Sequence, residues 1–336
     1  MLRLYPFFHH TEGFNTLRHV PLQDISSMNV LVTGGAGFIG SSIADAYKDA
    51  GHDIVIVDNL STGVLENVPK GATFYQLDIR DEGLGDIIRD HNIEVINHHA
   101  AQIDVRRSVE DPRFDLSVNV LGSINVVEAA LQNDVKRVIF ASSGGAGYGE
   151  QEYFPADEAH PIAPCSPYGI TKVTVERYLH YFHLVRDLTY TVFRYTNVYG
   201  PRQNPHGEAG VVAIFCDKLL SGDNPVINGD GLQTRDYVYI DDVVRANVHA
   251  LGMEGSDTFN VSTNRETTVN EIFQVLNDAL GGPETEKHGP AKDGEQQRSV
   301  CSYDKLHTRF GWKPETGIDV GLRNTMAWFQ EQRDDD

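Results

Sequence analysis

VLVTGGAGFIG, residues 30–40, is the stretch of sequence that decides the fold. It begins as an apolar run, continues with four glycines within seven positions, and leads into a helical pattern over residues 39–50. Glycine permits a tight turn and leaves backbone N–H groups open to a phosphate, because no Cβ stands in the way. A strand, a turn of this kind and a helix together predict the first part of a dinucleotide-binding domain.

The same alternation continues over the first two thirds of the chain. Further apolar runs lie at residues 54–57, 74–77, 95–96, 138–141 and 190–193, with helical stretches between most of them. Buried runs that alternate with helices predict an α/β fold with a Rossmann-like, doubly wound parallel sheet.

After Arg194, shorter elements separated by Gly and Pro predict a smaller C-terminal α/β domain. In this part of the chain, helices are predicted at residues 211–220, 240–253, 269–280 and 318–332. Residues 281–294 contain two Pro, four Gly and mixed charges, which predicts a flexible connector.

Asp58 supports the prediction of a dinucleotide site. It ends the second apolar run, about 20 residues after the glycine turn, where a ribose-binding acid is expected. Its carboxylate would accept both ribose hydroxyls but repel a 2′-phosphate, and no Arg lies within residues 59–62, so NAD is favoured over NADP. The alternative is that the glycines only shape a turn and Asp58 only caps a helix. Asp78 and Ile79, just after the third strand, are candidates for the adenine edge, although a lone Asp at such a position is more often a turn residue.

Tyr168 and Lys172 are the candidates for acid–base chemistry. They are four residues apart in a predicted helix and therefore lie on one helical face. Tyrosine is a poor base near neutral pH because its ordinary pKa is about 10. A neighbouring ammonium group and a positively charged nicotinamide ring would both stabilise the phenolate. The alternative for this spacing alone is a surface Tyr beside a solvated Lys.

Six further segments occur in a characteristic order. They are VDNLSTG (57–63), AAQ (100–102), NVLG (119–122), RYTNVYGPR (194–202), GEAG (207–210) and RDYVYIDD (235–242). With the glycine turn and the Tyr168/Lys172 pair, these segments resemble the extended short-chain dehydrogenase/reductase family. Within that family they resemble the UDP-glucose 4-epimerase-like nucleotide-sugar epimerases, and the likeness runs from Met28 to about Phe329.

The resemblance implies an NAD-dependent epimerase that interconverts UDP-glucose and UDP-galactose at C4 through a 4-keto sugar. Tyr168 would be the base, and Lys172 would anchor the nicotinamide ribose and lower the pKa of Tyr168. The family also has a catalytic Ser or Thr four residues before the position of Tyr148, which falls on Gly144 here. We assign this role to Ser143, because the Gly-Gly pair that follows it can absorb the extra residue. Those glycines supply no proton, which disfavours the dehydratases of the family.

The resemblance also implies a set of binding residues. For the cofactor these are Gly34, Gly37, Phe38, Ile39, Gly40, Asp58, Asn59, Ser61, Thr62, Gly63, Asp78, Ile79, Ala100, Ala101, Gln102, Asn119, Tyr168, Lys172, Tyr195 and Val198. For the UDP-sugar substrate they are Ser143, Tyr168, Asn197, Gly210, Val211, Arg235 and Arg298. The family Arg near the end of the connector aligns with Gln297, so the adjacent Arg298 is the predicted second diphosphate clamp.

These assignments divide the chain. Residues 28–195 plus about 232–262 are the predicted NAD-binding domain, and about 196–231 plus 263–332 are the predicted substrate domain. Residues 1–27 fit neither, and the simplest account is that translation begins at Met28, with a disordered arm as the alternative. Helices over residues 115–132 and 167–186 resemble those of a four-helix dimer interface in the family, so we expect a homodimer.

Composition excludes several other functions. The formal net charge is −20, with 48 acidic and 28 basic residues, which argues against a nucleic-acid partner. Only nine of the basic residues are Lys, which suggests a salt-adapted cytoplasm, with an ordinary acidic enzyme as the alternative. Three widely spaced cysteines fit a reducing compartment and no zinc site. No run approaches 18 apolar residues, so no membrane span is predicted.

Two other functions stay open at this stage. One is another enzyme on the same scaffold, such as a UDP-N-acetylglucosamine or UDP-glucuronate 4-epimerase, a decarboxylase or a reductase. The other is a catalytically silent dinucleotide-binding protein. His180 and His183 have metal-like spacing but no third ligand, so no metal site is predicted.

Overall fold

A seven-stranded parallel sheet organises the chain. The computed structural model describes residues 26–206, 210–292 and 296–334. The strands of the sheet are β1 (Asn29–Thr33), β2 (Asp53–Asp58), β3 (Thr73–Gln76), β4 (Val95–His98), β5 (Arg137–Ser143), β6 (Tyr190–Tyr195) and β11 (Asp257–Val261). Their spatial order is β11-β6-β5-β4-β1-β2-β3, and every pairing in it is parallel. The order reverses between β1 and β4, and ligands bind at such a switch point in doubly wound folds.

Twelve α-helices accompany the strands in the described ranges. They are α1 (Phe38–Asp49), α2 (Leu84–Asp90), α3 (Val105–Glu110), α4 (Pro112–Leu116), α5 (Gly122–Gln132), α6 (Gly144–Tyr148), α7 (Pro167–Arg186), α8 (Val211–Leu220), α9 (Ile240–Ala250), α10 (Val269–Ala279), α11 (Asp304–Phe310) and α12 (Ile318–Asp334). Two apolar cores cover the sheet: Ile43 and Tyr47 of α1 belong to one, and Val126 of α5 and Val175 of α7 belong to the other.

The C-terminal part is built from short strands and a third core. The strands are β7 (Asn197–Tyr199) with β10 (Tyr237–Tyr239), β8 (Val226–Asn228) with β13 (Lys287–Gly289), and β9 (Thr234–Arg235) with β12 (Thr267–Thr268). Helices α8, α10 and α12 enclose a core that contains Phe215, Phe273 and Met326. The prediction of a flexible connector over residues 281–294 is wrong at β13, because the backbone there pairs with β8. Residues 293 and 294 of that connector lie outside the described ranges.

The predicted helices agree with the structure to within three residues, with one extension. The helical run predicted over residues 115–132 begins at Pro112, because Asp111 accepts the N–H of Phe114 as N-cap and proline suits the first turn. The run Pro112–Gln132 is also long and apolar enough, by composition alone, to cross a membrane. This feature was not among the predictions from the sequence. Half of its apolar window is buried inside the protein, as in the core helix of an α/β domain.

Candidate cofactor and active site

The glycine turn after β1 leaves no room for side chains. Gly34 has a left-handed backbone with φ +71°, and a Cβ there would lie 2.6 Å from the backbone nitrogen of Ala100. A Cβ on Gly40 would lie 2.3 Å from the carbonyl oxygen of Gly34. Helix α1 starts after Gly37, which has no side chain to cap the first N–H groups. The turn therefore offers an uncapped helix N-terminus, which is the arrangement that binds a pyrophosphate.

Asp58 closes the other side of this turn. Its buried carboxylate accepts the N–H of Ala36 at 3.0 Å and the N–H of Leu60 at 2.8 Å. Each oxygen therefore receives one protein donor and retains acceptor capacity for a ribose hydroxyl. Gly63 passes close to the turn, since a Cβ there would lie 2.9 Å from the carbonyl carbon of Ala36. The predicted residues Ser61 and Thr62 are exposed beside it.

Asp78 is engaged by its neighbours. Its carboxylate accepts the side-chain amide of Asn59 at 3.0 Å and forms an ion pair with Arg80 at 2.8 Å. The hydrogen bonds from Arg80 lower the pKa of Asp78 to about 2. Asp78 is therefore held charged against Arg80, and this pairing favours a structural role for its side chain. Ile79 beside it is buried under Gly122.

A π-helical turn brings Asn119 to the switch-point edge of the sheet. The turn spans Ser117–Leu121 and joins α4 to α5. The Asn119 side chain donates to the Gln102 carbonyl at 2.9 Å and accepts the Gln102 N–H at 2.8 Å, so it pairs fully with the backbone that follows β4. Turns of this kind are frequent at functional sites because they redirect one side chain. No signal in a single sequence distinguishes this turn from an ordinary α-helix.

Tyr168 and Lys172 lie on α7 beside the carboxyl end of β5. Ser166 caps the helix by accepting the N–H of Gly169, and Pro167 occupies the first turn. The Lys172 ammonium is buried, donates to the Ala141 carbonyl at 3.0 Å, and lies 5.7 Å from the centre of the Tyr168 ring. Burial lowers the pKa of Lys172 to about 8, and burial together with the charge of Asp115 raises the pKa of Tyr168.

Ser143 is the last residue of β5 and the N-cap of α6. Its hydroxyl accepts the N–H of Ala146 at 3.2 Å, and the two glycines after it form the first turn of α6. A Cβ on Gly144 would lie 3.2 Å from the Cys301 sulfur, so this position is tightly enclosed. Ser143 and the lysine contact at Ala141 therefore share the carboxyl end of one strand.

A buried ion pair supports this end of the sheet. Arg194 of β6 meets Glu176 of α7 with two nitrogens, at 3.0 and 2.6 Å. Ser142 donates to the same carboxylate at 2.6 Å, and Arg194 also donates to the Tyr148 hydroxyl at 3.0 Å. The pair thus joins β5, β6, α6 and α7 behind Ser143. Neither charge can be removed alone without leaving the other buried and unpaired. No motif in the sequence marks Glu176, because its partner Arg194 is brought beside it only by the fold.

Two histidines end β4 beside the cofactor turn. His98 contacts the Thr33 hydroxyl at 2.7 Å and the Ser123 hydroxyl at 2.8 Å, and His99 contacts the Tyr195 hydroxyl at 3.2 Å. Burial lowers the pKa of both to about 3, so both are neutral at ordinary pH. Of the two histidines considered for a metal, His180 is exposed and His183 is bonded to the Leu188 carbonyl.

Two of the predicted substrate residues, Arg235 and Asn197, lie on short strands of the C-terminal part. Arg235 is on β9 and donates to the Thr234 carbonyl at 2.8 Å, while Asn197 on β7 donates to the Asp236 carbonyl at 3.1 Å. Asp236 is fully buried and accepts N–H groups from Thr263 and Asn264, which fixes the backbone beside Arg235. Burial raises the pKa of Asp236 to about 6.

Arg298 is already paired. It forms two hydrogen bonds with Glu266, at 2.9 and 2.8 Å, and stacks 4.0 Å from the centre of the Phe154 ring. Glu266 also accepts the Thr234 hydroxyl at 2.6 Å, so it links Arg298 to the strand that holds Arg235. A diphosphate would therefore compete with Glu266 for Arg298.

The other predicted positions follow from the fold. Gly210 precedes α8 and Val211 begins it; Val198 is on β7 and Tyr195 ends β6; Ala100 and Ala101 follow β4. Residues 207–209 of the predicted GEAG motif lie outside the described ranges. In the described part of the chain, no group of three or more His, Cys, Asp or Glu could hold a metal ion.

These features define a dinucleotide-dependent α/β enzyme. The crowded glycine turn, the uncapped start of α1 and the spare acceptors of Asp58 fit a nicotinamide dinucleotide. Residues 30–262 match the NAD dependent epimerase/dehydratase family, and the chain belongs to that family.

Three relatives illustrate the likeness. The UDP-glucose 4-epimerase of Mycolicibacterium smegmatis is 42% identical over 311 residues, which cover 91% of this chain and 99% of the relative. The structure of UDP-glucose 4-epimerase from Thermotoga maritima with UDP-glucose has a TM-score of 0.88 and 44% identity, covering 91% of this chain and 100% of the other. The structure of the Thermus thermophilus UDP-glucose 4-epimerase in complex with NAD has a TM-score of 0.85 and 42% identity, covering 90% and 99%.

The comparisons confirm several predictions. The Rossmann-like α/β fold, the epimerase family, the NAD dependence and the enzymatic class agree with the relatives. The roles of individual residues, the domain boundaries, the homodimer and the salt adaptation stay predictions.

Proposed function

We propose that this protein interconverts UDP-glucose and UDP-galactose by inverting the configuration at C4. The observation that carries the proposal is the Tyr168/Lys172 pair, which lies on one face of α7 at the carboxyl end of β5, within a fold that presents a glycine-rich dinucleotide turn. The relatives with 42% and 44% identity are UDP-glucose 4-epimerases, which favours this sugar step over the other enzymes of the scaffold.

Each residue of the site has one role in this proposal. The Tyr168 oxygen takes the proton of the sugar 4-OH and returns it after the intermediate has turned over. Lys172 holds a positive charge behind Tyr168 and favours its phenolate form. Ser143 donates a hydrogen bond to the reacting oxygen, and Arg235 binds the diphosphate. The glycine turn and Asp58 would hold NAD, which would supply the acceptor for the C4 hydride and its donor for return to the other face.

The first experiment tests the reaction itself. Protein purified in multimolar KCl is incubated with UDP-galactose and no added NAD, and the sugar nucleotides are separated by chromatography. We expect UDP-glucose to appear. In parallel incubations, net consumption of added NADH would indicate a reductase and CO₂ release from UDP-glucuronate a decarboxylase, and either result would contradict the proposal.

Tyr168→Phe tests the role of the base. Removing the hydroxyl should lower kcat by about 10²- to 10⁴-fold, the usual value of positioned acid–base catalysis, and leave bound NAD unchanged. Tyr178→Phe is the matched control, since Tyr178 is on the same helix and 40% exposed. Normal turnover by Tyr168→Phe would refute the assignment.

The same proposal includes a homodimer. Helix α7 and the run α4 to α5 expose large apolar side chains on their outer faces, among them Leu121 at 53%, Tyr181 at 53% and Leu184 at 68%. A second copy of the chain would bury them. Sedimentation equilibrium in multimolar KCl should give twice the chain mass of 37.3 kDa, and a monomer there would contradict it.

We also propose a cytoplasmic, salt-adapted enzyme on the basis of the net charge of −20. Screening of that charge should raise the melting temperature between low and multimolar salt. An unchanged melting temperature would refute the adaptation without affecting the proposed reaction.

A further inference from the structure

Asp115 is a fully buried carboxylate immediately behind the proposed catalytic pair. Its Oδ1 accepts the side-chain amides of Gln102 at 2.9 Å and Asn119 at 3.0 Å, and its Oδ2 accepts the hydroxyl of Thr171 at 2.9 Å. None of these three partners carries a charge. Asp115 therefore differs from Glu176, whose buried carboxylate is neutralised by an arginine.

The three partners belong to the three segments that surround the pair. Gln102 follows β4, Asn119 is in the π-helical turn, and Thr171 precedes Lys172 on α7. The amide of Asn119 also donates to the Thr171 hydroxyl at 3.2 Å, which closes the network. One carboxylate thus sets the orientation of two side-chain amides and ties α4 to α7.

The charge of Asp115 acts on both members of the pair. It raises the pKa of Lys172 against the larger lowering by burial, and it adds to the burial that raises the pKa of Tyr168. The other titratable groups nearby contribute less. His98 and His99 of β4 are neutral because burial lowers the pKa of each to about 3.

The remaining elements packed on α7 supply charges that are paired or exposed. Glu176 of α7 is neutralised by Arg194 of β6, which also bonds Tyr148 of α6. Arg106, Arg107 and Glu110 of α3 and Arg113 of α4 are exposed to solvent, which screens their charges. The Tyr195 hydroxyl of β6 is bonded to Asn247. Asp115 is therefore the buried, uncompensated charge that faces the pair from the described part of the chain.

We propose that Asp115 is a positioning residue for the reaction: its carboxylate stabilises the charged form of the buried Lys172 and holds Gln102, Asn119 and Thr171 in one hydrogen-bonded arrangement around the pair. The inference rests on the proposed function for its effect on turnover. Its effect on Lys172 exists in the protein without any substrate.

Asp115→Asn separates charge from shape. The amide is isosteric, its oxygen can accept from Gln102 and Asn119, and its nitrogen can donate to Thr171, whose hydroxyl then donates to the Tyr168 carbonyl at 2.9 Å. Asp242→Asn is the matched control, because Asp242 is also fully buried but is paired with Arg245 on α9.

The direct readout is the titration of Lys172 by ¹³Cε NMR, which is practical because the chain has only nine lysines. The Lys172 signal is assigned by its absence in Lys172→Arg. In the wild-type protein we expect a midpoint near 8. In Asp115→Asn we expect a midpoint lower by on the order of one pH unit, the usual minimum for loss of a close opposite charge.

The pH profile of kcat is the second readout. Loss of the negative charge lowers the pKa of Tyr168 and of Lys172 together. Both limbs of the kcat profile should therefore move to lower pH in Asp115→Asn, and neither limb should move in Asp242→Asn. Asp115→Glu, which restores a carboxylate, should return both limbs toward wild type.

Two outcomes would overturn the inference: a Lys172 midpoint unchanged in Asp115→Asn, or a wild-type midpoint well below 7. The second can be measured even if Asp115→Asn does not fold. A wild-type protein that fails to convert UDP-galactose would contradict the proposed function but leave the Lys172 titration as a test of Asp115.

Discussion

Gly40 and Arg298, both predicted to bind a ligand, are held in place by different means. Gly40 is fixed by main chain alone, since a Cβ there would lie 2.3 Å from the Gly34 carbonyl oxygen. Arg298 is fixed by side chains, in a two-point ion pair with Glu266 and against the face of Phe154. The cofactor side of the site is thus shaped by closely packed main chain, and the sugar side is shaped by pairs of interacting side chains.

The difference has a consequence for binding. Closely packed main chain has little freedom to rearrange, so the cofactor side is preorganised and does not tolerate an added side chain. A surface ion pair is worth little in water and can exchange one anionic partner for another. Substitutions on the cofactor side should therefore have large effects on ligand binding at any salt concentration. Substitutions on the sugar side should have smaller effects that depend on salt.

Gly40→Ala should have the largest effect. The added Cβ must displace the glycine turn from α1, and misplacement of this size commonly costs about 10²-fold in activity. We expect retained NAD to be lost in parallel, measured by cofactor release on denaturation. Gly85→Ala on α2 is the control, because its Cβ would meet nothing within 4 Å. Full NAD retention by Gly40→Ala would show that the main chain of the glycine turn is not rigid.

Arg235→Gln should have the next largest effect. Loss of a charge-assisted hydrogen bond to the diphosphate costs about 1.5–3 kcal/mol, which corresponds to a rise in KM of roughly 10- to 100-fold. NAD retention should not change. Arg265→Gln is the control, since Arg265 is exposed and paired with Glu271. An unchanged KM for the UDP-sugar would remove Arg235 from the substrate site.

The cofactor side was largely predictable because its information is local. The strand, the glycines and the helix that follow one another at residues 29–50 determine the turn, and Asp58 follows at a set distance. The connector was predicted less well: pairing of Lys287–Gly289 with Val226–Asn228 joins segments about sixty residues apart, and no local pattern reports it.

The missed residues share one property. Asp115, Glu176 and the π-helical turn at Ser117–Leu121 matter because of contacts between distant segments. The side chain of Glu176 is polar and its neighbours in sequence are ordinary for a surface helix, yet α7 buries it against β6. Burial of a charge depends on packing, which the spacing of residues along one helix does not specify.

The variant His98→Gln tests the packing of the cofactor side through the pH dependence of folding stability. His98 is buried on the cofactor side and its pKa is lowered from 6.5 to about 3, so the folded state resists its protonation. Above about pH 6.5 His98 is neutral in both the folded and the unfolded protein, and it does not change the free energy of unfolding with pH. As pH falls from 6.5 toward 3, His98 takes up a proton only in the unfolded protein, which lowers the free energy of unfolding. At pH 5 the loss is about 2 kcal/mol, from 1.5 pH units at 1.36 kcal/mol each.

We expect the free energy of unfolding, measured with denaturant at pH 7 and pH 5, to fall less with acid in His98→Gln than in wild type. His180→Gln, at an exposed position of α7, should retain the wild-type slope. Equal slopes in all three proteins would show that His98 is not held neutral by the fold.

Substitutions at Arg298 should have the smallest effect. Its side chain is 52% exposed and its partner Glu266 is 29% exposed, so water and salt screen the charge. Arg298→Gln should therefore raise KM only about two- to fivefold, as expected for an exposed pair. Glu266→Gln can still accept the Thr234 hydroxyl but releases Arg298 to the diphosphate, so KM should fall by a similar factor. Both effects should shrink as KCl rises. If Glu266→Gln instead raised KM as much as Arg235→Gln, the ion pair would itself be part of the substrate site, and the sugar side would be as preorganised as the glycine turn.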